Sequence, residues 1–326
     1  MATPFLVPNR SGAPGALTRP RPNPVDVYLA RLGPGSRRGQ RQALNAIAGF
    51  LSDGVLDAEG TDWALVRYQD TSAIRSWLVK RYAPNTARRL LAALRGVLKG
   101  CWRMGLMQHD DLAKATDLGS VVGESEPSGR ALSMEDLQKV FDACQQDNSP
   151  AGIRDGAIIG LLYGLGLRRS EVVSLDVSHY KPEQGIVAVH GKGNKPRLGY
   201  AMEQVRELLD AWLHLRGNWE GPMFSPINRG GGLAQNRFTP QGLALVVKKR
   251  AAEAGVDTFS CHDLRRTFIT DLLSAGADLS VVQKLAGHRN ISTTLIYDRR
   301  GEQAKVKAAR LITMPCKAEI NLPVSD

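Results

Sequence analysis

The stretch "GHRNISTTLIYDRR", residues 287–300, sets one tyrosine, Tyr297, among small polar and basic residues. His288 precedes it, and Asp298, Arg299 and Arg300 follow directly. A core tyrosine more often has apolar neighbours on both sides. A phenol ionises at about pH 10 in water, so a nucleophilic tyrosine needs a base or positive charge beside it. Three other segments carry such groups: "LGLRRSEV" with Arg168, "HGKGNKPR" with Lys192, and "SCHDLRRTF" with His262 and Arg265. Each has an ordinary reading of its own. An arginine after a buried helix usually caps it or faces solvent, a lysine in a hairpin turn is usually hydrated, and a helical histidine is usually structural.

Together they make one chemistry. His262 and Arg265 are three residues apart, so they share a helix face. They fall in the first turn after Ser260, where unbonded N–H groups and the helix dipole add positive potential suited to a phosphate. Arg168 and Lys192 raise the count of fixed cations to three. A phosphodiester that becomes pentavalent gains charge on its non-bridging oxygens. Preorganised donors of this kind contribute roughly 3–4 kcal/mol each in other enzymes. Tyr297 then takes the nucleophile's place. The sequence has no G-x-x-x-x-G-K-[ST] loop and no acidic pair with an evident two-metal role. The expected chemistry is therefore covalent, without metal, nucleotide or other cofactor. A phosphotyrosine bond conserves the energy of the broken phosphodiester, so rejoining would need no ATP.

The rest of the chain must position these groups. Its 326 residues suit about two domains. Apolar residues make up 43% and charged residues 23%, the balance of a soluble globular protein. A formal net charge of +11 and a pI of about 9.7 favour a polyanionic partner, nucleic acid first. Cys101, Cys144, Cys261 and Cys316 are scattered and form no disulfide framework or zinc motif. With no apolar signal segment at the start and no run of membrane length, a cytoplasmic location is expected.

Residues 1–25 are rich in Pro, Gly and Arg and read as a disordered basic arm. Helical patterns fill 26–115. "GSRRGQRQALNAIAGFLSDG" is expected to start at a Ser36 cap and stop near Gly54, and a further helix lies in "TSAIRSWLVKRY". In "PNTARRLLAALRGVLKGCWRMG", Leu90, Leu91, Leu94, Leu98 and Cys101 form one apolar arc. Arg88, Arg95, Lys99 and Arg103 form a stripe beside it, which is either a solvated face or a set of phosphate contacts along DNA. Residues 116–130 read as a linker.

Beyond the linker, Ser133 with Asp136 resembles a capping box. "DGAIIGLLYGLGL" is a buried helix, and "GIVAVHGKGNKPRLGYAM" a β-hairpin around a Gly-rich turn. Helices follow at 203–215 and at 240–254, the latter with Thr239 as cap and Pro240 at its first position. Ser260 opens the next helix, "LSVVQKLAG" and "STTLIYDRR" are short ones, and 302–312 is weakly amphipathic. The expected fold is mainly α with a small antiparallel β-sheet.

Residues 131–312 resemble the catalytic domain of the tyrosine recombinases, the phage integrase family. "RDGAIIGLLYGLGLRRSEVVSL" is similar to the family's Arg-containing box, "GKGNKPR" to its hairpin lysine segment, and "HDLRRTFIT…LAGHRNISTTLIY" to its His-x-x-Arg, His and Tyr box. The resemblance implies a helical core-binding domain at 26–115 that contacts DNA, a mixed α/β catalytic domain at 131–312, and a tail at 313–326. It implies that Arg168 and Arg265 clamp the scissile phosphate and that His262 takes the phenol proton. His288 would hydrogen-bond the phosphate, and Tyr297 would attack to give a 3′-phosphotyrosyl link. Lys192 would protonate the leaving 5′ oxygen, with Lys195 as the alternative. Glu171 matches an acidic position that supports the site's geometry. Arg169 and Ala286 depart from common family residues without removing a catalytic group.

The implied function is site-specific recombination of double-stranded DNA by a homotetramer in the synaptic complex, for integration, excision or resolution. The short arm leaves no room for a separate arm-binding domain, so the simple two-domain type, similar to Xer-like and transposon recombinases, is expected. Two other readings stay open at this point: a type IB topoisomerase-like nicking-closing enzyme, and a DNA-binding protein without activity. An intact set of reactive residues weighs against the second.

Overall fold

The computed structural model describes residues 22–123, 129–191, 196–228, 230–298, 300–301, 306 and 309–310. The chain divides into two compact units, Met1–Ser128 and Gly129–Asp326. Among the described residues no helix is long and apolar enough to cross a membrane.

Proline and asparagine set the helix starts of the first unit. Asn23 accepts the Val25 N–H and caps α1 (Pro24–Ala30). α2 spans Pro34–Leu51, with Pro34 at its first position. Ser36 is therefore inside α2 and not its cap, because the fixed φ of Pro34 already opens the helix. α3 (Tyr68–Arg81), α4 (Pro84–Arg103) and α5 (His109–Thr116) complete the unit. Leu90, Leu91, Leu94, Leu98 and Cys101 of α4 are all buried in its core, as the arc predicts.

The basic stripe on α4 divides in two. Arg88 donates to the carbonyls of Val121 and Gly123, and Arg95 to that of Leu118. Arg75 of α3 holds Gly119 and Ser120 in the same way. Val121 is buried. Residues 118–123, expected as linker, are thus fastened to the first unit. Lys99 and Arg103 are exposed.

The second unit is built around α7 (Pro150–Gly164), which is apolar on nearly every side. α6 (Met134–Gln146) packs on it. Ser133 caps α6, but Asp136 pairs with Arg130 and does not close the expected box. α8 (Arg169–Ser174) follows α7 after a turn at Gly166, where φ is +58° and the Phe268 ring fills the space a Cβ would need. The sheet is antiparallel with order β1-β2-β3: Tyr180–Lys181, Ile186–His190 and Pro196–Tyr200. β2 and β3 form the expected hairpin. β1 has two residues, too few to show a period in the sequence.

α9 (Glu203–Arg216) lies against α7. α10 (Pro240–Glu253) starts at the Thr239 cap, and Arg250 on it pairs with the buried Asp155 of α7. α11 (Cys261–Ser274) and α12 (Leu279–Ala286) carry Phe268, Ile269, Leu273, Val282 and Ala286, which form a separate apolar cluster with Tyr297. α13 covers only Ser292–Leu295, so Tyr297 sits in the turn after it and not on a helix. Lys192, Lys195 and most of 302–312 lie outside the described residues. The fold is mainly α with a small antiparallel sheet.

Candidate active site

Arg168 occupies the N-cap of α8. Glu171, three residues on and 3% exposed, accepts the Arg168 backbone N–H and its Nη1, each at 2.8 Å. Arg168 Nη2 donates to the Gly287 carbonyl at 2.9 Å. Glu171 Oε2, which accepts the Arg168 N–H, also accepts Nη2 of Arg197, from β3, at 2.8 Å. One buried carboxylate therefore orients two guanidinium groups.

Arg265 is held differently. It projects from α11 and is 1% exposed. Its Nη1 donates to the Gly166 carbonyl and its Nη2 to that of Ala286 at 2.6 Å. The Gly166 turn and the Ala286–Gly287 turn thus fix both arginines. α11 itself is nucleated by a complete capping box, in which Ser260 bonds the Asp263 N–H and Asp263 bonds back to the Ser260 N–H. That box places His262 in the first turn.

Tyr297 is 7% exposed, and its hydroxyl lies 3.3 Å from His262 Nε2. The Arg266 guanidinium stands over the Tyr297 ring at 5.5 Å from the centroid. The His288 ring stacks with that of Tyr297, their centroids 6.3 Å apart. His288 Nδ1 lies 2.9 Å from the hydroxyl of Thr294.

The electrostatics suit an anion and a base. Burial first, then Arg265 and Arg266, hold His262 below its ordinary pKa. Burial, then Arg265 and Arg168, push His288 down to about 4. Both imidazoles are neutral at pH 7. Burial and the neighbouring Arg168 lower Arg265 to about 9, and at pH 7 it keeps its charge. Cations crowded together, each disfavouring the next, form a site that gains from a bound anion. Among the described residues no group of three His, Cys, Asp or Glu side chains could hold a metal.

The structure brings Arg168, His262, Arg265, His288 and Tyr297 into one site. Lys192, predicted with them, lies outside the described residues. Arg88, Arg95, Lys99 and Arg103 belong to the first unit.

The profile of the phage integrase family matches residues 130–303. The chain belongs to the phage integrase family. Its relatives include the tyrosine recombinase XerC of Azotobacter vinelandii, 36% identical over 292 residues, which cover 84% of this chain and 90% of that one. The tyrosine recombinase XerD of Pseudomonas aeruginosa is 34% identical over 229 residues, 68% of this chain and 74% of that one. Among solved structures, the Tn1549 transposon integrase in complex with a circular intermediate DNA shares the fold. Its TM-score is 0.65 at 16% identity, covering 89% of this chain and 99% of that one.

In this integrase-family member three residues join the site that motif reading passed over: Arg197, Thr294 and Arg266. The alternation of "PRLGY" carries a signal for the first, since it turns Arg197 and Gly199 to the face opposite the exposed Leu198 and Tyr200. Thr294 and Arg266 show no such signal, because their partners, His288 and Tyr297, lie in the turns after α12 and α13.

Proposed function

We propose that this tyrosine recombinase cuts and rejoins specific sites in double-stranded DNA, with Tyr297 as its nucleophile. The observation that carries the reading is the Tyr297 hydroxyl 3.3 Å from His262, whose pKa is held below its ordinary value, in a site with two fixed arginines. The phenol oxygen attacks the scissile phosphorus while His262 takes the phenol proton. Arg168 and Arg265 neutralise the non-bridging oxygens, and His288 donates a hydrogen bond to one of them. The bond to the 5′ oxygen breaks as Lys192 supplies its proton, with Lys195 as the alternative donor. A 3′-phosphotyrosyl bond results, and the reverse attack by a 5′ hydroxyl rejoins the strand. Tyr297 packs in the same unit as its partners, which favours cleavage in its own protomer's site.

The first unit is the core-binding domain in this reading, and Gly129–Asp326 the catalytic one. The working form is a homotetramer on two duplexes, in the cytoplasm, acting in integration, excision or resolution of a mobile element. The relatives are named as recombinases and integrases, which favours recombination over topoisomerase-like relaxation.

The test is Tyr297→Phe on a nicked substrate that traps the covalent complex. Removing one hydroxyl leaves folding and DNA binding in place, and adducts should vanish. Adducts at wild-type yield would rule out Tyr297.

A further inference from the structure

Thr294 is fully buried. Among the described residues its hydroxyl has one hydrogen-bonding partner, His288 Nδ1 at 2.9 Å. A hydroxyl carries one proton and must place it on an acceptor when water is excluded. If His288 Nδ1 carried a proton and donated to Thr294, the threonine proton would have nowhere to go. The network is satisfied only when Thr294 donates and Nδ1 accepts. The ring is neutral at pH 7, since burial and the two arginines hold its pKa at about 4. Its single proton is then on Nε2.

We infer that Thr294 is a positioning residue that locks His288 in the Nε2–H tautomer, so that a neutral imidazole donates a hydrogen bond to the phosphate. The inference rests on the assignment of His288 to the phosphate made above. A neutral donor suits this place. Arg168 and Arg265 already supply charge, and a protonated His288 beside them would add a third cation. The same residue also seats the nucleophile, because the Thr294 carbonyl accepts the Tyr297 N–H at 3.0 Å. One short helix thereby ties the tautomer of a phosphate ligand to the position of the attacking phenol. In enzymes generally, the group bonded to one ring nitrogen decides what the other can do.

The tautomer is read directly by nitrogen NMR of the full chain labelled with 15N-histidine. The chain has six histidines, and the His288 signals are those lost in His288→Gln. The expected spectrum of the wild type at pH 7 shows an unprotonated Nδ1 and a protonated Nε2. A protonated Nδ1 overturns the inference whatever the variants do. In Thr294→Val, which keeps shape and removes the donor, the single tautomer should be lost. Cleavage of a nicked substrate should fall roughly 10–100-fold, the range seen when a histidine's outer partner is removed elsewhere. DNA affinity should be unchanged, and Thr294→Ser should restore both tautomer and rate. Wild-type cleavage by Thr294→Val alongside slow cleavage by His288→Gln overturns the positioning role. Wild-type cleavage by both variants overturns the phosphate assignment of His288, and the inference with it.

Discussion

Arg197 lies so close to Gly287 that a Cβ on Gly287 would meet its Nε at 2.6 Å. Gly287 also has a φ of +64°, where a side chain is strained. Its turn supplies the carbonyls that hold Arg168 and Arg265. Gly287→Ala should therefore shift both arginines without touching either. A misplacement of about 1 Å can cost roughly 10²-fold in rate. Adduct formation on a nicked substrate should fall by that order while gel-shift affinity holds. A variant that cleaved normally would show that the turn adapts.

Glu171 is the hinge of the arginine pair. Removing one partner of a buried ion pair costs about 3–5 kcal/mol, because the other charge is left unpaired. Glu171→Ala should destabilise by that order in urea denaturation, since Arg197 is 12% exposed at its side chain. Adding Arg197→Met should recover part of the loss, as the stranded charge is then gone.

The depressed histidines set a pH window. Unfolded histidine titrates near 6.5, whereas folded His262 lies lower and folded His288 at about 4. Between those values the unfolded chain binds more protons than the folded one, so stability rises with pH. Their contribution is complete above pH 6.5 and is lost as pH falls towards about 4. Thermal melts between pH 7.5 and 4.5 should show this decline, with a shallower slope in His288→Gln. Cleavage should fall only at a pH below the ordinary histidine range, as the depressed His262 takes up a proton and ceases to be a base.

Lys192 is tested through its leaving group. General acid catalysis contributes roughly 10²–10⁴-fold, so Lys192→Ala should cleave ordinary DNA that much more slowly. DNA with sulfur in place of the bridging 5′ oxygen needs no proton, and the variant should cleave it at nearly the wild-type rate. Arg265→Ala should stay slow on both. Equal rescue of both variants, or of neither, would move the assignment to Lys195.

The α4 stripe separates by salt dependence. Each phosphate contact contributes about 0.9 to the slope of log affinity against log salt. Lys99→Ala and Arg103→Ala should each reduce that slope by about one contact. Arg88→Ala and Arg95→Ala should leave the slope alone and expose residues 118–123 to proteolysis, since those side chains bond the chain's own carbonyls.

What the sequence discloses here follows from how local each signal is. Thr239 and Ser260 announce their helices because a cap bonds within three residues. The arc from Leu90 to Cys101 announces its buried face because helix period alone decides it. The hydrogen bonds of Arg88 and Arg95 to residues 118–123 are not visible, because a basic stripe reads the same facing DNA or facing a carbonyl. Ser36 misleads because Pro34, two residues earlier, competes for the same helix start. The site's residue types are legible in the motifs, but the ties between them are not. The links from Glu171 to Arg197 and from His288 to Thr294 depend on turns whose shape no spacing reveals.

Arg265 is anchored by two backbone carbonyls, while the nearby carboxylate of Glu171 is taken by Arg168 and Arg197. Its burial without a counter-charge is a cost the fold bears until an anion arrives. An uncharged residue of similar shape would relieve that cost and weaken the proposed hold on phosphate. Stability and activity pull in opposite directions at this one side chain.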